Sequence, residues 1–81
     1  MHEWHLAANI VEKIEKAAAE NGLRQVTRAE ILLGRGLGIA ESEFSECLKI
    51  STNGKKIFAE CCFDIKLVES NLASIENIEG D

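Results

Sequence analysis

The sequence predicts an α+β fold with the element order α-β-α-β-β. Three observations carry this: helical spacing of apolar residues over 3–20, strict alternation over 24–33, and two extended stretches that follow a second, shorter helix. The expected architecture is a small three-stranded, mostly antiparallel sheet with both helices on one face, in a single domain covering residues 1–81.

In the first stretch Ala7, Ile10, Val11, Ile14, Ala17 and Ala18 recur at three- and four-residue spacing, while Glu12, Lys13, Glu15, Lys16 and Glu20 take much of the opposite face. Asn21-Gly22 then supplies residues that tolerate the left-handed conformation ending a helix. From Arg24 the period drops to two, with Ala29, Ile31 and Leu33 on one side and Arg28, Glu30 and Leu32 on the other. The glycine-alternating run Gly34-Arg35-Gly36-Leu37-Gly38 lacks both the Lys-Ser/Thr of a phosphate loop and the spacing of a dinucleotide fingerprint, so it reads as a flexible strand-to-helix connector.

Residues 40–50 form the second helix, with Phe44, Cys47 and Leu48 on its apolar face. Glu41, Glu43 and Glu46 enrich its start, where the helix dipole favours negative charge. After the Asn53-Gly54 turn, residues 56–68 read as one long strand, with Cys61, Phe63, Ile65 and Leu67 facing one way and Cys62, Asp64, Lys66 and Val68 the other. Glu69-Ser70-Asn71 is a tight connection into a third strand over 72–78, and the two strands are expected to form a hairpin.

A chain of 81 residues supports one core, burying about 60–65% of its unfolded surface. The net charge of −5 excludes the basic face that nucleic acid requires. No apolar run approaches the length of a membrane span and no secretory leader opens the chain, so no membrane association is expected. Cys47, Cys61 and Cys62 are odd in number and lack any Cys-x-x-Cys pair, which points to reduced thiols in the cytoplasm rather than disulfides or a thiolate zinc site. Cys47 groups with core residues. Cys61 and Cys62, as neighbours on a strand, point to opposite faces, one buried and one exposed. No nucleophile–base pair, acidic pair or cofactor loop is evident, so the chain is not read as an enzyme.

The opening Met1-His2-Glu3-Trp4-His5 carries the chemistry. A terminal amine at Met1, the amide and imidazole of His2, and a further nitrogen close adjacent chelate rings on one ion, an all-nitrogen tetragonal set suited to Ni(II) or Cu(II). Glu3 opens the helix, where the first four amides have no intrahelical acceptor, so a metal would take amide nitrogens without breaking a helical bond. The fourth nitrogen comes either from the Glu3 amide or from His5, which shares a helix face with His2 at a spacing of three. The competing reading is a frayed terminus with two solvated histidines.

Met1-His2-Glu3-Trp4 opening a helix, followed by Val26 to Gly34 and Ile39 to Leu48, resembles the HypA family of nickel metallochaperones. Met1-His2-Glu3 is similar to the family's nickel-binding opening, and Ile31-Leu32-Leu33-Gly34 to its first strand and following glycine. Phe44 and Leu48 match apolar positions of its second helix, Ala59-Glu60 and Ile65 its second strand, and Ser74-Ile75-Glu76 its final strand. The resemblance implies delivery of Ni(II) for nickel–iron hydrogenase maturation, and in some organisms for urease. The implied partners are a maturation GTPase of the HypB type and the hydrogenase large subunit.

Three departures accompany it. The family's zinc domain, with two Cys-x-x-Cys pairs, has no counterpart between Val68 and Leu72, so no structural zinc is expected. Arg35 stands where an acidic residue is common, and His5 where a small one is usual. The alternative function is a metal-free protein–protein or regulatory module of the same family.

Overall fold

The computed structural model describes residues 3–81. Helix α1 (Glu3–Glu20) leads into strand β1 (Val26–Gly34), helix α2 (Glu41–Thr52), strand β2 (Cys62–Val68) and strand β3 (Ala73–Gly80). Single 3-10 turns sit at Arg35–Leu37 and Lys56–Phe58. The α+β class and the α-β-α-β-β order are those the sequence predicts.

The helical period of α1 becomes a buried stripe of Ala7, Ile10, Val11, Ile14 and Ala18. Ala17, at the margin of that stripe, is only half-buried. The helix stops where Gly22 takes φ +69°, and the amide of Asn21 donates back to the Ala17 carbonyl at 2.8 Å. Helix α2 opens with the Glu43 carboxylate accepting from the Ala40 N–H at 3.3 Å, a local satisfaction of an otherwise orphaned donor. It buries Phe44, Cys47, Leu48 and Thr52, and the Thr52 hydroxyl donates to the Leu48 carbonyl at 2.9 Å. Both helices lie on one face of the sheet, against Val26, Ala29, Ile31 and Leu33 of β1.

The strand order is β2-β1-β3, with β1 parallel to β2 and antiparallel to β3. The sheet is therefore mixed rather than mostly antiparallel, and the expected β2–β3 hairpin does not form. The reason lies in the chain path. Helix α2 returns the chain so that β2 runs alongside β1 in the same direction, the usual outcome of a βαβ crossover. Residues 69–72 then carry it over the end of β1 to the other side. Four residues span at most about 14 Å, enough to step across one strand.

That step explains the glycine run. A Cβ on Gly34 would lie 2.5 Å from the Ser70 carbonyl oxygen and 2.7 Å from that of Leu72, and one on Gly36 would lie 2.9 Å from the Ser70 oxygen. The crossing chain is bonded to this saddle: Gly34 N–H donates to Leu72 at 2.9 Å and Gly36 N–H to Ser70 at 2.8 Å. The segment expected to be a flexible connector is a close-packed crossing point.

The long strand expected over 56–68 is shorter at its start. Lys56–Phe58 turns as a 3-10 helix and drives Phe58 into the core, where it is 6% exposed. Phe63 stacks near it, ring centroids 6.1 Å apart. No alternation exists in Lys56-Ile57-Phe58-Ala59-Glu60, so nothing there holds an extended register.

Candidate metal centre

Of the four residues expected to hold a metal, Met1 and His2 lie outside the described residues, as does the approach of His2 to His5. Glu3 and His5 occupy the first turn of α1. His5 is exposed and Glu3 half-buried, and both line a shallow hollow of about 470 Å³ whose other walls include Leu6, Asn9, Leu37 and Ile39. Asn9 follows His5 by one helical turn, so its amide stands on the same face. The 5-to-9 spacing would have identified it from sequence. Leu37 and Ile39 would not have been found that way, because they arrive from the far side of the glycine saddle.

Among the described residues no group of three or more His, Cys, Asp or Glu side chains could hold a metal ion. Glu3 and His5 therefore do not make a closed site by themselves. The tip of α1 is also apolar on one side: Trp4 is 54% exposed, so it belongs to the surface rather than the core.

The cysteines make poor ligands. Cys47 is buried, and its thiol is pushed up first by that burial and then by the negative charges of Glu3, Glu43 and Glu46. The Cys61 thiol is pushed up to about 11, mainly by burial and secondarily by neighbouring Cys62. Both are protonated at neutral pH, whereas metals bind the thiolate. Cys61, which precedes β2, is half-buried, and Cys62, the first residue of the strand, is exposed.

On the uncovered face of the sheet, Arg28 sits among carboxylates: Asp64 at 2.6 Å, Glu30 at 3.1 Å and Glu79 at 3.7 Å. The hydrogen bond to Asp64 and the charge of Glu30 raise the guanidinium pKa further, and the group remains a fixed cation. It ties the three strands together on their solvent side. No helix is long and apolar enough among the described residues to cross a membrane.

Comparison with known proteins fits this geometry. The solution structure of the Ni metallochaperone HypA from Helicobacter pylori superposes with a TM-score of 0.84 at 12% identity, covering 98% of this chain and 97% of that one. At that identity the likeness shows the fold. No curated protein sequence matches the chain. A family model described as HypA, hydrogenase/urease nickel incorporation, metallochaperone, matches residues 1–74. With nearly the whole length matched, the chain belongs to the HypA family of nickel metallochaperones, a family of metal-delivery proteins rather than enzymes.

Proposed function

We propose that this chain carries Ni(II) at its amino terminus and releases it to a maturation partner. The observation that supports the reading is that Glu3, the residue after the His2 that would chelate the ion, is already helical. There the amide nitrogens belong to the first turn and have no intrahelical acceptor to lose.

Met1 supplies the amine, His2 an imidazole and an amide, and Glu3 an amide nitrogen, with His5 as the alternative fourth ligand from one turn away. The Glu3 carboxylate offsets the unfavourable positive end of the helix dipole. Ni(II) is cargo here, and its release needs only proton return or a stronger ligand on the recipient. The partners fitting this role are a maturation GTPase of the HypB type and the hydrogenase large subunit, with the cytoplasm as the compartment. The four-residue link between β2 and β3 holds no zinc module, so delivery here would proceed without structural zinc.

A second reading, a metal-free docking module of the same family, is favoured by the exposed Trp4 on the same turn. A tag-free native terminus titrated with Ni(II) between pH 6 and 8.5 separates the two. The nickel reading expects the yellow absorption of a square-planar complex, its loss in His2→Ala, and affinity that falls steeply as the solution is acidified. Colourless protein, or affinity indifferent to pH, contradicts the amide-nitrogen site.

A further inference from the structure

Strand β2 is an outer strand of the sheet, hydrogen-bonded only to β1, and its second edge has no strand beside it among the described residues. Such an edge is a template for another strand. On its helix-facing side Phe63, Ile65 and Leu67 remain half-buried although they pack against the core. Between them and α2 runs an open groove of about 490 Å³, lined by Glu41, Ser42, Ser45, Phe63 and Ile65. On its outward side the strand alternates Asp64 and Lys66. Asp64 is held by Arg28, whereas Lys66 makes no ion pair among the described residues.

We propose that β2 pairs antiparallel with β2 of a second copy of this chain, joining two sheets of three strands into one of six. The sequence of the strand selects the register. A two-fold axis through Ile65 sets Asp64 opposite Lys66 of the second copy twice, Phe63 opposite Leu67 twice, and Ile65 opposite itself. Every apolar residue then meets an apolar residue, and every charge its opposite. Centring the pair on Asp64 or on Lys66 instead places like charges face to face, and shifting by one residue turns Phe63, Ile65 and Leu67 to the wrong side.

The groove beside α2 receives the half-buried side chains of the incoming strand, and its small Ser42 and Ser45 leave room for them. Strand β3 has no such self-match. Its outward charges, Glu76 and Glu79, have one sign, and a register irregularity interrupts its ladder with β1. The pairing uses none of the proposed nickel ligands and does not depend on nickel.

The test uses the full, metal-free chain in reductant, so that a disulfide through Cys62 cannot mimic the contact. Sedimentation of the wild type at tens of micromolar is expected to show twice the 8.9 kDa chain mass, dissociating on dilution. Lys66→Asp, checked for native circular dichroism, is expected to weaken the dimer at least about tenfold, since it sets two like-charge pairs across the axis. Hydrogen exchange on the wild type needs no variant: protection of the 62–68 amides should rise with protein concentration while that of 73–80 stays level. A wild type that remains monomeric at about 200 µM overturns the proposal. So does a dimer indifferent to Lys66→Asp, or one whose concentration-dependent protection falls on β3.

Discussion

The two ends of α1 differ in burial although one helix carries both. From Ala7 to Ala18 the helix is committed to the core: Ile14 and Ala18 are 0% exposed and Ile10 1%. In its first turn the same helix leaves Trp4 and His5 in solvent and contributes no side chain to the fully buried set. On the proposed nickel reading, this contrast separates stability from cargo chemistry. The first-turn amides have no intrahelical acceptor, so the proposed metal contact would cost the buried part of the helix nothing.

Substitutions that respect this division should therefore move one property and leave the other. The largest stability effect is expected from Ile14→Ala, which empties a fully buried position beneath the sheet. Its cost should be about 2–5 kcal/mol, lowering the melting temperature by roughly 10 °C or more, measured by calorimetry or circular dichroism. Nickel taken up by the fraction still folded should be unchanged.

Gly34→Ala comes next. Its new Cβ meets the backbone oxygen of Ser70, which is tied to the crossing chain and cannot swing aside as a side-chain end would. About 1–3 kcal/mol of destabilisation is expected in chemical denaturation. A change below about 0.3 kcal/mol would mean that the saddle is looser than the 2.5 Å approach indicates.

At the other end of the helix, Trp4→Ala should alter stability by no more than about 0.5 kcal/mol, because the ring is 54% exposed. A loss several times larger would break the division between the two ends and make the first turn part of the core.

The helices were legible because their apolar period persists for several turns: Ala7, Ile10, Val11, Ile14 and Ala18 all go where the spacing sends them. Strand β1 was legible for the same reason at period two, with Ala29, Ile31 and Leu33 buried. Pairing was not. A short link between two extended segments reads as a hairpin, and only the three-dimensional path shows that residues 69–72 pass over β1 instead. The glycines at 34 and 36 admit the crossing chain by their absent side chains, but glycine alternation alone does not distinguish a crossing point from a flexible connector.

The segment 56–61 failed for a local reason, since Phe58 is drawn into the core from a turn that has no strand periodicity. At the candidate site, residues 1–5 carry the proposed chemistry, and the fold places Asn9, Leu37 and Ile39 around Glu3 and His5. Those walls come from two separate elements, a convergence that linear spacing does not encode.

In the proposed site the terminal amine and its neighbouring nitrogens grip the cargo while the fold stands independent of them. Isothermal titration of Ni(II) into the native-terminus chain and into the same chain acetylated at Met1, at one pH and with melting temperatures recorded in parallel, tests it most directly. Acetylation is expected to remove high-affinity uptake and leave the metal-free melting temperature unchanged. Equal nickel affinity in the two preparations would contradict it.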